Sequence, residues 1–318
     1  MRAVIQERYG TAADLRVGEL PDPVPADGEV LVRIKAVSLN GLDRENLAGS
    51  PAYSRIGGLR RPRHPVPGSD IAGVVAAVGA GVSEFQPGDE VFGELAGYRG
   101  GLAEYVATPP KLLSRKPSGL SFVEAAAIPQ AGCIAYRATR GVRPGDKVLV
   151  NGAGGAGGAF VVALAKHCGA EVTAVDSAAK GRYLLGIGAD AVIGYESEDW
   201  ADRRDSYDLV IDLVAHRPPH RVHRALRRRG SYVMVGGHAR ILLATLLAGA
   251  PIGWAVRKRV RVLAVPQSRE DLEAVTALVV EGSAAPVIDR VFPLEEAPAA
   301  FAKLAAGEHR GKFVIEVA

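Results

Sequence analysis

The sequence predicts an α/β protein in which a doubly wound parallel sheet is flanked along the chain by segments that are mostly β. Three observations lead to this fold class. A glycine-rich turn at 151–158 separates an apolar run from an amphipathic one, strand-like and helical segments then alternate, and the first hundred residues show a period of two. With 318 residues, 48% of them hydrophobic, the chain is long enough for two domains with full cores.

Both ends of the chain predict β-strands. The strand-like runs, separated by Gly and Pro turns, are 29–37, 71–78, 90–92, 286–292 and 312–317. A helix-like segment at 294–306 separates the last two runs. We expect the segment after Ala285 to rejoin the first domain.

The middle of the chain predicts strands and helices in alternation, which is typical of a parallel sheet. In chain order the segments are a strand at 147–151, a helix at 159–166, a strand at 171–175, a helix around 180–185, strands at 191–193 and 209–212, a helix at 221–228 and a strand at 231–235. The basic run 224–229 is expected at a helix C-terminus as a solvated face.

The glycine-rich turn predicts a cradle for a pyrophosphate. Glycines let the backbone turn tightly and approach a ligand, while the N–H groups and the helix dipole face its negative charge. The second strand of the unit ends on Asp176, where a strand–helix–strand nucleotide unit presents its ribose-reading residue. A bound dinucleotide is the expected consequence.

Several motifs together resemble the medium-chain dehydrogenase/reductase superfamily, and within it the quinone oxidoreductase group. They are Pro65–Val75, Phe85–Gly93, Gly101–Val106, the glycine turn and Gly311–Val314. The resemblance implies a GroES-like substrate domain formed by residues 1–117 and 285–318, with a Rossmann domain at 118–284 inserted into it. It also implies an active site in the cleft and a fingerprint of Gly152, Gly155 and Gly158, in which Gly154 and Gly157 give extra room.

The resemblance separates two chemistries. In the alcohol dehydrogenases of the superfamily, a catalytic zinc polarises the alcohol oxygen. The corresponding ligand positions fall on Asn40, Ser69 and Gln130, and none of these is a competent zinc ligand in that setting. We therefore expect no zinc, and a reductase that transfers hydride from NADPH to a small hydrophobic quinone or α,β-unsaturated carbonyl. The alternatives are a non-enzymatic nucleotide-binding protein, such as a redox sensor or crystallin-like relative, and an NAD-dependent enoyl reductase or alcohol dehydrogenase-like enzyme.

Three residues are candidates for catalysis. Asn40 and Asp43 resemble the polar pair of the family beside the nicotinamide and substrate, although Asp43 could instead only cap the following helix. Tyr53 lies near the position of a proton-donating tyrosine in enoyl reductases, or is a surface tyrosine. His64 could be a pocket acid, but its surroundings indicate a loop.

Cofactor choice depends on four residues. Asp176 favours NADH by accepting hydrogen bonds from a ribose 2′-hydroxyl. By the resemblance, Ser177, Lys180 and Tyr195 align with the 2′-phosphate pocket of the quinone reductases, which favours NADPH. We expect NADPH, with NADH possible because of Asp176. By the resemblance, the remaining cofactor-binding residues are Asn40, Gln130, Ala153, Ala156, Leu213, Val214, Val235, Gly236, Gly237 and Lys312.

Composition excludes other classes. The net charge of +4 comes without a basic stripe interleaved with aromatics, which argues against nucleic acid. The apolar stretch 241–256 is too short for a membrane span and fits a pocket-covering helix or lid. Two cysteines without a paired spacing and no signal-like start favour the cytoplasm. The spacing of His216, His220 and His223 fits an exposed helix start better than a metal site, and the family resemblance implies a homodimer.

Overall fold

The computed structural model describes residues 1–56 and 58–317. It divides into two compact units. The first unit comprises Met1–Gln130, Gln267–Val280 and Ile288–Ala318, and the second comprises Ala131–Pro266 and Glu281–Val287.

The amino-terminal segment is mostly β, in agreement with its period-two pattern. Its elements are β1 (Arg2–Gln6), β2 (Leu15–Glu19), β3 (Val30–Ser38), α1 (Gly41–Ala48), β4 (Asp70–Val78), β5 (Glu90–Glu94), β6 (Tyr105–Thr108), β7 (Leu113–Arg115) and α2 (Phe122–Ala126).

The middle segment alternates helices and strands. Its elements are α3 (Pro129–Thr139), β8 (Lys147–Asn151), α4 (Ala156–His167), β9 (Glu171–Asp176), α5 (Gly181–Gly186), β10 (Ala191–Gly194), β11 (Tyr207–Asp212), α6 (Pro219–Val222), β12 (Leu226–Met234), α7 (Ala239–Ala255) and β13 (Arg259–Val262). The carboxyl-terminal elements are α8 (Arg269–Val280), β14 (Ile288–Pro293), α9 (Ala297–Ala306) and β15 (Lys312–Glu316).

The second unit is built on a parallel sheet. Within the described residues, six strands follow the order β10-β9-β8-β11-β12-β13, and every neighbouring pair is parallel. The order reverses between β8 and β11, which is the arrangement of a dinucleotide-binding sheet. Its buried core includes Trp200, Tyr232 and Met234. The predicted Rossmann fold is confirmed.

The first unit contains the second large sheet. Among the described residues, its strands follow the order β14-β15-β3-β4-β5-β7, and β6 also pairs with β3. β15 pairs with β3, so the end of the chain joins the sheet formed by its beginning, as we expected. Phe92, Leu102 and Phe301 are among its buried side chains.

One predicted helix is wrong. The sequence predicts a helix over 221–228, but α6 ends at Val222, a short 3₁₀ turn covers His223–Ala225, and Leu226 begins β12. Arginine has a high helix propensity, so the arginines of the run 224–229 favour a helix in the sequence-based prediction. Pairing with β11 overrides that local preference, with a register shift and with Arg229 at φ 66°. The basic run therefore does not lie at a helix C-terminus.

Candidate functional site

The glycine-rich turn has the geometry that a close backbone approach requires. β8 ends at Asn151, α4 begins at Ala156, and Gly152 adopts a φ of +83°, where side chains are strained. A Cβ on Gly158 would lie 2.3 Å from the carbonyl oxygen of Gly152 and 2.5 Å from the Cα of Ala153. The first turn of α4 therefore packs directly against the glycine turn, and only glycine fits there.

The start of α4 offers donors to an anion. Its N-cap residue is Gly155, which supplies no side-chain cap. The first N–H groups of a helix lack intrahelical acceptors and lie at the positive end of its dipole. Predicted residues Ala156, Gly157 and Gly158 form this turn, and their arrangement suits a phosphate.

The carboxylate of Asp176 contacts both the glycine turn and a lysine side chain. One carboxylate oxygen accepts a hydrogen bond from the N–H of Gly154 at 2.8 Å. The other accepts from the N–H of Ser177 at 2.9 Å and lies 3.3 Å from Nζ of Lys180. The side chains of Asp176 and Lys180 are both nearly buried. Because their charges lie close together, each partly neutralises the other. Tyr195, whose backbone N–H donates to the carbonyl of Asp176, has an exposed side chain.

A buried polar network lies at the point where the sheet order reverses. Asp212 ends β11, and one of its oxygens accepts from Nδ2 of Asn151 at 2.7 Å and from the N–H of Val214 at 3.2 Å. Its other oxygen accepts from the hydroxyl of Tyr232 at 2.8 Å. Burial raises the pKa of Asp212. The network fixes the residue before the glycine turn to the loop that follows β11.

The sequence-based reasoning missed this network. Part of its signal was available, because Asn151 and Asp212 both end apolar runs that the sequence predicts as strands of a parallel sheet. Parallel strands bring their carboxyl ends to one edge of the sheet.

Five predicted cofactor-binding residues follow β11 and β12. Leu213 and Val214 lie against the glycine turn, and Val235, Gly236 and Gly237 follow β12. A Cβ on Gly152 would lie 3.1 Å from both methyls of Val214, and one on Gly157 would lie 2.9 Å from Cδ2 of Leu213. Val235 donates its N–H to the carbonyl of Asp212, at 2.8 Å. Gly236 accepts from the N–H of Ala215, and Gly237 has a φ of +133°. These contacts place all five residues beside the reversal point of the sheet.

A second polar cluster lies in the first unit, around a buried lysine. Nζ of Lys312 donates to Oγ of Ser38 at 2.9 Å, to Oδ1 of Asn40 at 2.5 Å and to Oδ2 of Asp70 at 3.2 Å. The side chains of Lys312 and Asp70 are 1% and 0% exposed. An ammonium group surrounded by three acceptors is the arrangement that allows a lysine to stay buried.

Lys312 fixes the orientation of the Asn40 amide. An ammonium group has no acceptor, so the amide oxygen of Asn40 must face it and the NH₂ group must point the other way. On that side Nδ2 lies 3.4 Å from Oγ of Ser69. Oδ2 of Asp70 also accepts from the backbone N–H of Gln130 at 3.1 Å. The predicted residues Asn40, Ser69 and Gln130 therefore belong to one hydrogen-bonded cluster.

Asp43 caps α1 from inside the fold. Its Oδ2 accepts from the backbone N–H of Asn40 at 2.7 Å, and its Oδ1 has no hydrogen-bond partner among the described residues. Burial, with the negative charge of Asp70, raises the pKa of Asp43 to about 7. Asp43 therefore caps α1, as one of the two interpretations predicts, while a catalytic role of Asp43 stays a prediction.

Glu94 joins the cluster, and the sequence-based reasoning missed it. Its Oε1 accepts from Nε2 of Gln130 at 2.6 Å. Burial and the charge of Asp70 raise the pKa of Glu94 to about 8. Glu94 ends β5 directly opposite Asp70 in the antiparallel register. Because that register depends on how the strands pair, no local motif indicates it.

Tyr53 and His64 lie outside this cluster. The hydroxyl of Tyr53 donates to Oε2 of Glu45 at 2.8 Å, the side chain is 40% exposed, and burial with this contact raises its pKa. His64 is exposed in the loop before β4. The surface interpretation of both residues is the one that these contacts support.

The described residues contain no group of three or more His, Cys, Asp or Glu side chains arranged to hold a metal ion. None of their helices is long and apolar enough to cross a membrane.

Two family models match this chain. The alcohol dehydrogenase GroES-like domain matches residues 26–118, and the zinc-binding dehydrogenase model matches residues 187–315. The chloroplastic quinone-oxidoreductase QR1 of Triphysaria versicolor is 32% identical over 99% of this chain and 98% of its own length. The chain belongs to the medium-chain dehydrogenase/reductase superfamily. It lies in the quinone oxidoreductase-like group, and it is an oxidoreductase.

Further relatives agree with that placement. The 2-methylene-furan-3-one reductase of Solanum lycopersicum is 32% identical over 99% of this chain and 79% of its own length. The structure of the Coxiella burnetii quinone oxidoreductase matches with a TM-score of 0.89 at 29% identity, covering 100% of this oxidoreductase and 99% of that chain. The Escherichia coli quinone oxidoreductase complexed with NADPH shares the fold, with a TM-score of 0.86 at 23% identity and full coverage of both chains.

Proposed function

We propose that this oxidoreductase is a zinc-independent reductase that uses NADPH to reduce quinones or α,β-unsaturated carbonyls. Residues 118–284 hold the cofactor in this proposal, and residues 1–117 with 285–318 hold the substrate. The observation that carries the proposal is the Lys312 cluster. Its ammonium group binds Asn40 directly and is linked through Asn40 to Ser69 and through Asp70 to Gln130, and by the family resemblance these are the three zinc-ligand positions of the alcohol dehydrogenases.

The second unit fits a dinucleotide. Gly152, Gly157 and Gly158 pack so closely against neighbouring protein atoms that a Cβ would crowd them, and the N–H groups at the start of α4 have no side-chain cap. Lys180 supplies a positive charge for a 2′-phosphate, and Asp176 supplies an acceptor for a 2′-hydroxyl. We favour NADPH because a lysine with Ser177 and Tyr195 makes a more specific set than one carboxylate, with NADH as the second cofactor.

The reduction balances with NADPH and one proton. Bound NADPH would supply a hydride to the β-carbon of an enone or to a quinone and would become NADP⁺, and water would supply the proton that completes the saturated carbonyl or hydroquinone. Asn40 is held by Lys312 and has one amide N–H near Ser69, so its other amide N–H would be available to a carbonyl oxygen. An acceptor that delocalises the incoming charge does not need a Lewis acid.

The side chains at the three corresponding positions, Asn40, Ser69 and Gln130, do not fit zinc. A metal ion would have to displace the ammonium group of Lys312, which lies 2.5 Å from Oδ1 of Asn40. The remaining groups at the corresponding positions are a hydroxyl and an amide, whereas protein zinc sites use Cys, His and carboxylates. The chemistry of these residues supports zinc independence.

Asp43 and Glu94 can hold protons near neutral pH. Their raised pKa values, about 7 and about 8, leave both carboxyl groups substantially protonated at pH 7. A protonated carboxyl can donate a hydrogen bond or release a proton. We assign Glu94 and Asp43 the role of keeping the buried cluster close to electroneutral around Lys312.

Turnover with a panel of acceptors tests the proposal. Purified protein should oxidise NADPH steadily with several quinones or enones, and treatment with a chelator should leave the rate unchanged. Replacing Lys180 by Ala should raise the KM for NADPH far more than the KM for NADH. Tight NADPH binding without turnover over the whole panel would overturn the enzymatic assignment to these acceptors. The cytoplasmic location and the homodimer stay predictions, which cell fractionation and sedimentation would test.

A further inference from the structure

A large cavity in the first unit is lined by arginines. It has a volume of about 990 Å³ and lies between the end of β1 and the loop of residues 55–56 and 58–65. Gln6 and Pro65 line it, together with Arg60, Arg61 and Arg63. None of the site residues described above lines this cavity.

The cavity carries uncompensated positive charge. In the described part of the chain, Arg60, Arg61 and Arg63 are exposed and form no ion pair or side-chain hydrogen bond. The one acidic residue on its wall, Glu7, is already paired with Arg16 at 2.6 Å. No Asp or Glu occurs anywhere in the sequence between Glu45 and Asp70. A cluster of three like charges produces a positive potential that attracts anions.

The loop is anchored so that these arginines stay together. Tyr9 donates its hydroxyl to the carbonyl of Gly58 at 2.5 Å, and the guanidinium of Arg55 lies 4.9 Å from the ring centre of Tyr9. Gln6 donates its backbone N–H to the carbonyl of Pro65 at 2.7 Å. A Cβ on Gly58 would lie 2.1 Å from the carbonyl oxygen of Arg61, which shows how tightly the loop turns. The loop backbone that carries the arginines is therefore held at Gly58 and at Pro65.

The cavity lies near the carboxyl-terminal end of α1, whereas Asn40 lies at the amino-terminal end of this helix. The side chain of Gln6 donates to the carbonyl of Leu47 at 2.9 Å, and Nε of Arg55 donates to the carbonyl of Gly49. Asn40 caps the other end of this eight-residue helix. At 1.5 Å per residue the two ends are about 12 Å apart. A ligand could therefore reach from one to the other only if it has an extended tail.

We propose that this arginine cavity binds the phosphate-bearing tail of the substrate, and that the substrate class includes α,β-unsaturated thioesters of coenzyme A. Guanidinium groups match phosphate oxygens in a two-pronged geometry, and a thioester carbonyl activates the C=C bond as an enone carbonyl does. Exposed Ile56 and Leu59 offer apolar contact beside the charges. The substrate assignment rests on the proposed function, whereas the binding of phosphate groups does not.

Calorimetric titration tests the cavity without turnover. Coenzyme A, pyrophosphate and inorganic phosphate are titrated into the protein with saturating NADP⁺ present, so that the glycine turn does not compete. We compare the parent with the triple variant Arg60→Gln/Arg61→Gln/Arg63→Gln. The matched control, Arg143→Gln/Arg204→Gln/Arg228→Gln, removes the same charge from exposed positions of the second unit. Coenzyme A binding should weaken about tenfold or more only in the first variant.

The binding outcomes separate the possible ligands. Coenzyme A that fails to bind the parent, or that binds the first variant as well as the parent, overturns the proposal. If pyrophosphate binds as tightly as coenzyme A, the cavity is a site for free phosphate anions, and the substrate-tail assignment is overturned. Arginine-dependent binding of anionic vesicles or acidic polypeptides, with no binding of coenzyme A, also overturns it.

Kinetics with two matched thioesters separate this proposal from the reductase function. Crotonyl coenzyme A and crotonyl N-acetylcysteamine carry the same reacting group, but the second lacks the phosphates. The first arginine variant should lose about tenfold or more in kcat/KM for crotonyl coenzyme A and be unchanged with the truncated thioester. Equal losses with both thioesters would overturn the tail assignment. If neither thioester is reduced while arginine-dependent binding persists, phosphate binding by the cavity stands and the substrate assignment fails.

Discussion

Replacing Lys312 by Met tests whether a buried ammonium group organises the first-unit site. The change removes three hydrogen bonds and leaves the buried carboxylate of Asp70 without its countercharge. Breaking one partner of a buried ion pair destabilises a protein by about 3–5 kcal/mol. That is a large part of the roughly 5–15 kcal/mol that stabilises a typical domain. Urea denaturation should show this loss, and the exposed control Lys111→Met should show none.

A double variant separates stability from positioning. Lys312→Met/Asp70→Asn removes both charges, so most of the lost stability should return. The amide of Asn40 would still lack the donor that fixes its oxygen. A hydrogen bond to a charged group contributes about 1.5–3 kcal/mol. We therefore expect kcat for an enone to stay about ten- to a hundred-fold below the parent, with a smaller change in KM. Full recovery of kcat together with stability would refute the positioning role of Lys312.

Three further predictions concern the cofactor turn, cofactor choice and pH. Gly158→Ala should abolish NADPH binding in a fluorescence titration, because its Cβ would meet the carbonyl of Gly152 at 2.3 Å, whereas Gly186→Ala meets nothing within 4 Å and should bind normally. Asp176→Ser should shift the ratio of kcat/KM values about tenfold towards NADPH, since Lys180 loses its carboxylate partner, a change of about 1.4 kcal/mol. The raised pKa of Glu94 means that the folded state binds more protons than the unfolded chain, so stability should fall as pH rises from about 4.5 to about 8, and Glu94→Gln should flatten this fall in urea titrations at several pH values.

Each of these predictions has a result that contradicts it. Normal NADPH affinity in the Gly158 variant would mean that the turn does not approach the cofactor closely. An unchanged cofactor ratio in the Asp176 variant would mean that the pairing with Lys180 does not govern cofactor choice. If the stability of Glu94→Gln falls with pH as steeply as that of the parent, the fall comes from other titrating groups. Asp43 would then be the first of these to test.

The sequence predicted the fold well where one signal repeats along the chain. The alternation of apolar strands and helices gave the parallel sheet, because each element buries one side against its neighbours. The same reasoning failed at 221–228, where arginines favour a helix locally but the segment pairs with β11 as β12. Strand pairing depends on distant residues, and local preference could not show it.

The candidate site was predictable only in part for the same reason. The glycine turn and Asn40 lie in local motifs, so their positions could be inferred from the sequence. Glu94 enters the cluster through its register opposite Asp70, and Lys312 enters it from the far end of the chain. Lys312 was expected among the cofactor-binding residues, and its three contacts show it buried against side chains of its own unit. Such pairings exist only once the sheet has formed.

Transfer of deuterium from NADPH that carries deuterium at both positions of nicotinamide C4 tests the central claim most directly. Chelator-treated protein is incubated with the labelled cofactor and an enone, and the product is analysed by mass spectrometry. If the protein is a zinc-independent reductase, one deuterium should appear at the β-carbon of the saturated product, at the same rate with and without chelator. Absence of deuterium from the product, or loss of the reaction on chelation, would contradict it.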